Sequence, residues 1–197
     1  MTSPRPRRAP VLLAATAVAA FALAAGPSSR APGGPTPTAA ATVVRALGPQ
    51  DGYVPSGQSV SPFTALPAVA RLEPSLRTAI RSAARDARRD RVTLRVNSGW
   101  RSAAYQDALF RRAVRTYGSR QAAMQYVLPA TLSNHVRGAA VDVGPPPAAA
   151  WLARNGTRYG LCRTYANESW HFERKTRRGG TCPPQAPTAA DAVGARA

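Results

Sequence analysis

Lysine, isoleucine, histidine and cysteine are nearly missing from this chain of 197 residues. Lys175 and Ile80 stand alone in their kinds, and His135 and His171 are the only histidines. The two cysteines, Cys162 and Cys182, lack CxxC spacing, which disfavours a cysteine-ligated zinc site. No HExxH is present, so the helical zinc-peptidase signature is ruled out, and no GxSxG marks a serine nucleophile elbow. No internal repeat suggests a solenoid. Acids are few as well: 9 Asp and Glu face 27 Lys and Arg, giving a net charge of +18.

Such an excess of arginine suits a polyanionic partner. Nucleic acid is one, since neutralised phosphates release counterions. An anionic cell-wall polymer is the other. The start of the chain favours the second. Arg5, Arg7 and Arg8 precede an uncharged stretch from Val11 to Ala25, and Ala22-Leu23-Ala24 supplies small residues for cleavage. That stretch is ~15 residues, short of the ~20 that a membrane-spanning helix needs. Residues 1–25 therefore read as a secretory signal, with an uncleaved anchor as the rival reading. No stable membrane insertion is expected after cleavage. In an exported protein, Cys162 and Cys182 suggest a disulfide.

Residues 26–51 are rich in Pro, Ala, Gly and Thr and read as a disordered linker; 184–197 read as a disordered tail. The folded part is expected over 52–183, as a monomer. Pro74 opens a helix whose apolar positions Leu76, Ile80, Ala83, Ala84 and Ala87 recur every three or four residues. Val92, Leu94 and Val96 alternate as a strand. Ser102 caps a helix that stops near Gly118, and a shorter helix spans Gln121 to Val127. Strands are expected at Ala139–Val143, Leu161–Tyr165 and Trp170–Glu173, with a helix from Ala148 to Asn155. Helices first and strands later indicate an α+β domain.

Each histidine has an acid at short range: His135 precedes Asp142 by seven, and Glu168 precedes His171 by three. A hydrolytic zinc ion takes three protein ligands and keeps one position open. Two histidines and an aspartate fill that set, and one glutamate remains as a base. If Trp170 to Phe172 is extended, His171 faces the metal while Trp170 and Phe172 enter the core. From spacing alone, a metal site and ordinary polar positions stay equally open.

The motifs add more. Ser133-Asn134-His135-Val136-Arg137-Gly138-Ala139-Ala140-Val141-Asp142 resembles the SxHxxGxAxD motif of the D-alanyl-D-alanine carboxypeptidase and dipeptidase family, the VanY-like metallopeptidases. Glu168-Ser169-Trp170-His171 resembles its ExWH motif, and Ser98-Gly99-Trp100-Arg101-Ser102 its SGxRS motif. The resemblance covers roughly residues 60 to 175 and implies a hedgehog/DD-peptidase-like fold: a small antiparallel sheet carrying the zinc site, flanked by helices. It implies one Zn2+ per chain on His135, Asp142 and His171, with Glu168 as catalytic base. Arg101 would meet the substrate carboxylate or steady the oxyanion, and Gln106 and Ser133 would line the substrate cleft. Trp100 stands where the family commonly has tyrosine and Ser169 where it has proline. Trp100 would still supply an aromatic wall.

The expectation is a secreted, wall-associated D,D-carboxypeptidase acting on peptidoglycan stem peptides, with no nucleic-acid partner. An endopeptidase of the same fold and a non-catalytic wall-binding module are the alternatives.

Overall fold

The computed structural model describes residues 46–194. The expected signal at 1–25 and most of the linker lie outside the described residues. Among those described, no helix is long and apolar enough to cross a membrane.

A short helix, α1 (Pro67–Ala70), leads into α2 (Pro74–Arg89). Proline at the first position of each has no N–H to lose to the missing preceding turn. Leu76, Ile80, Ala83 and Ala87 form the fully buried stripe of α2. Strand β1 (Arg95–Ser98) is followed by α3 (Ala103–Tyr117) and α4 (Arg120–Met124). Ser102 and Ser119 cap these two helices by accepting the N–H of Tyr105 and Ala122. Then come β2 (Ala140–Gly144), α5 (Pro146–Asn155), β3 (Leu161–Arg163), β4 (His171–Arg174) and α6 (Ala189–Gly194).

The strands make one antiparallel sheet in the order β1-β2-β4-β3. Successive side chains alternate between its faces. One face sends Val141, Val143 and Phe172 into a core with α2, α5 and Val96. Each such fully buried apolar side chain contributes roughly 1.5–3 kcal/mol. The other face carries Asp142, His171 and Glu173. This is the α+β architecture expected from the sequence.

Among the boundaries that differ from expectation, three bear most on the fold. The first strand begins at Arg95, not Val92, because the end of α2 still holds the chain: Arg91 has φ 63 and the Val92 N–H donates to the Ala87 carbonyl. The domain also begins inside the expected linker. Pro49–Asp51 forms a 3-10 turn, and the buried Asp51 accepts hydrogen bonds from the Ser102 hydroxyl and the Gly48 N–H.

The third difference is the expected disordered tail, which is ordered through residue 194. Ala186 pairs with Tyr165 in a parallel bridge, and α6 buries Ala189 against Leu128 and Tyr165. Composition misled here because small alanines suffice where a disulfide and a sheet edge already hold the chain. Cys162 and Cys182 are bonded to each other, as expected.

Candidate metal centre

The site starts with strand register. Asp142 of β2 lies directly opposite His171 of β4, so both side chains rise from the same face of the sheet. His135 arrives from a turn that only glycine completes. Gly138 has φ 72, and a Cβ there would meet the Arg71 carbonyl oxygen at 2.5 Å. The turn is tied by bonds from Gly138 N to His135 O and from Ala139 N to Asn134 O.

The ring nitrogens are assigned by their partners. His135 Nδ1 lies 2.7 Å from the Gly99 carbonyl oxygen, which only accepts, so Nδ1 carries the proton and Nε2 is bare. Gly99 has its own reason: a Cβ there would lie 2.0 Å from the Ala68 oxygen. His171 Nε2 lies 3.0 Å from Glu173 Oε1, which leaves Nδ1 facing Asp142.

Asp142 Oδ1 is 3.4 Å from His135 Nε2 and 3.3 Å from His171 Nδ1. The three donor atoms lie within 4.8 Å of one another, all in buried residues. Asp142 Oδ1 and His171 Nδ1 have no hydrogen-bond partner, although buried polar atoms are normally paired. Zinc–ligand bonds of about 2.0–2.1 Å in tetrahedral array separate ligand atoms by roughly 3.3 Å. The orphaned pair, the spacing and the His/Asp/His chemistry fit a divalent ion.

Charge supports the same assignment. Burial and the nearby Arg101 lower the pKa of His135, which keeps it neutral, the form that can bind a metal. Burial also disfavours charge on His171, but the Asp142 and Glu173 carboxylates outweigh it and raise its pKa to about 9. A cation would take the place of that extra proton. Asp142 is held well below the usual carboxylate range, its two histidines and Arg101 overcoming the cost of burial.

Glu168 sits in the turn before β4, its Oε2 3.6 Å from His171 Nδ1. Burial raises its pKa to about 7, against the pull of His171. It is thus beside the three atoms that could hold a metal without belonging to that group.

Arg101 donates to Ser98 Oγ at 2.7 Å, Gln106 Oε1 at 3.1 Å and Asp142 Oδ2 at 2.7 Å. A guanidinium has five N–H groups, so donors remain for a ligand. Gln106 is fully buried and braces Arg101 while its amide donates to the Leu128 carbonyl. Ser133 lines the cleft, together with Tyr126, Leu128 and Trp170.

Two aromatic expectations are corrected. Trp170 is 45% exposed and borders the cleft rather than entering the core, because β4 begins only at His171 and Trp170 belongs to the preceding turn. Phe172 is in the core as expected. Trp100 is no cleft wall: it packs on the core with the Arg71 guanidinium 4.4 Å above its ring.

Glu173 was missed. Its Oε1 accepts from His171 and, at 2.8 Å, from Asn134, while Oε2 meets Lys175 Nζ at 2.7 Å. Its position two residues after His171, on the same strand face, was the available signal. Such partners fix ligand orientation, and losing one typically weakens metal binding about 10–100-fold. Glu173→Gln should show that loss in a zinc titration against a competing chelator. Unchanged affinity would mean that Glu173 does not orient His171.

Solved structures similar to this one have low identity to it. VanYB in complex with D-alanine-D-alanine superposes with TM-score 0.51 at 23% identity, over 61% of this chain and 80% of that one, which shows the fold. A mutant of the vancomycin-resistance D,D-pentapeptidase VanY from a VanB-type cassette, in complex with Zn(II), gives 0.49 at 25% identity, over 55% and 73%. No curated protein sequence matches. The model of the family described as VanY, D-alanyl-D-alanine carboxypeptidase, matches residues 69–175, which include every residue of the centre. With that match spanning more than half of its length, the chain belongs to the VanY family of D-alanyl-D-alanine carboxypeptidases.

Proposed function

We propose that this protein is a secreted, zinc-dependent D,D-carboxypeptidase that hydrolyses D-Ala-D-Ala, or a closely related bond, at the end of peptidoglycan stem peptides. The observation that carries it is the orphaned pair Asp142 Oδ1 and His171 Nδ1, joined by His135 Nε2, with Glu168 beside them in an open cleft. His135, Asp142 and His171 would hold one zinc ion. Bound there, zinc would supply Lewis acidity and make water nucleophilic near neutral pH.

The chain's own groups perform the proton work. Glu168 takes a proton from the attacking water and delivers it to the leaving amine. The spare donors of Arg101 bind the substrate's terminal carboxylate or the developing oxyanion. Gln106 holds Arg101 in place, and Ser133 lines the bound peptide. The disulfide suits an oxidising compartment, and the charge of +18 suits retention on an anionic wall.

The test is digestion of a stem pentapeptide ending in D-Ala-D-Ala, with products identified by mass. Release of D-alanine, abolished by chelator and restored by one equivalent of zinc, is the expected result. A released dipeptide would reassign the scissile bond, and an inert zinc-loaded protein would end the enzymatic reading.

A further inference from the structure

The family match ends at residue 175, yet the cleft is not complete there. Ala189, fourteen positions later, lies at its edge next to Leu128 and Tyr165. The segment that brings Ala189 there is fastened at three points. Cys182 is bonded to Cys162 on β3. The Ala186 N–H donates to the Thr164 carbonyl at 3.0 Å, and the Ala186 carbonyl accepts from Ala166 N–H at 2.9 Å. Asn167 N–H reaches the Pro187 carbonyl at 3.3 Å. Thr188 then starts α6 in a reciprocal cap with Asp191: its N–H and hydroxyl lie 3.0 and 2.7 Å from Asp191 Oδ2, and Asp191 N–H returns to its hydroxyl.

These ties do more than tidy a chain end. Residues 164–167, which they grip, lead directly into Glu168, and the Tyr165 ring lies 4.6 Å from the ring of His171. Ala189 is only 3% exposed, so its methyl group backs Leu128 and Tyr165 at the cleft wall, which the exposed aromatics Tyr126 and Trp170, at 49% and 45% exposure, also line. A wall of this kind accepts the uncharged, small-side-chain part of a peptide and leaves the carboxylate to Arg101. A larger side chain at 189 would push Leu128 and Tyr165, which line the cleft, into space that the peptide needs.

We propose that residues 186–194, outside the part shared with the family, form a specificity-determining wall of the substrate cleft, with Ala189 setting its width. The proposal rests on the carboxypeptidase reading and deepens it.

Two variants test it: a chain ending at Gln185, which keeps the disulfide, and Ala189→Leu, which keeps the segment. Should the shortened chain fail to fold, Ala189→Leu decides. Each is compared with the full protein for KM and kcat on a stem pentapeptide ending in D-Ala-D-Ala, for zinc stoichiometry, and for pentapeptide affinity by calorimetry in the zinc-loaded Glu168→Gln background. Expected are a rise in KM of at least tenfold, a matching loss of affinity, kcat within threefold and one zinc per chain. A fall in kcat or in zinc content with KM unchanged would overturn the proposal, since the segment would then only brace Glu168 and His171. Pentapeptide binding that ignores both variants would overturn it while leaving the carboxypeptidase reading standing. No pentapeptide binding to any of the proteins would overturn both.

Discussion

Glu168→Gln should bind one zinc ion as tightly as the unaltered protein and lose about 10²–10⁴ in kcat on a D-Ala-D-Ala-terminated pentapeptide. The amide keeps the size and much of the hydrogen bonding of the carboxylate but cannot take up a proton. Glu168 Oε2 lies near His171 Nδ1, yet Asp142 and the two imidazoles make a complete set of three without it. Chemistry and metal retention should therefore separate in this variant. Zinc content by mass spectrometry under native conditions and steady-state kinetics measure the two independently. A kcat within threefold of the unaltered enzyme would remove Glu168 from the proton transfer. Loss of zinc along with activity would make it a ligand instead.

Asp142→Asn should abolish measurable turnover and weaken zinc binding by more than the ~10–100-fold typical of residues that merely orient ligands. Asp142 is the hub of the site. Its Oδ1 faces both imidazoles, and its Oδ2 accepts from Arg101. Asparagine removes the anionic member of the His135, Asp142 and His171 group and can turn an N–H toward Arg101 or toward a bare imidazole nitrogen. The arginine would then be left with a buried charge that has lost its partner, which is costly. Competition with a chelator of known affinity gives the loss directly. Zinc affinity within tenfold of the unaltered protein would show that the two histidines suffice and that Asp142 is not a ligand.

Much of this site was legible before any coordinates. The histidines are so scarce that both are candidates, and each comes with an acid at short distance. What sequence could not supply was the strand register. Asp142 and His171 belong to stretches nearly thirty residues apart, and nothing in either says that they pair across a ladder. Glu173 escaped because an acid on a strand next to arginines looks like a solvated surface group; only burial reveals it as the partner of His171. Trp170 departs from the alternation because β4 begins only at His171 and the turn before it leaves the indole exposed. The terminal segment escaped for a different reason. Its alanines and prolines carry no hydrophobic pattern, and its order comes from a crosslink and from backbone hydrogen bonds that composition does not encode.

The pairing of Asp142 with His171 has an evolutionary consequence. Because the ladder between β2 and β4 fixes this pair, exposed turns between Pro145 and Asn167 can lengthen, shorten or change composition without separating Asp142 from His171, provided that Glu168 keeps its place in the turn before β4. The length of that connection can thus drift among descendants of one ancestor while the paired acid and imidazole are inherited together.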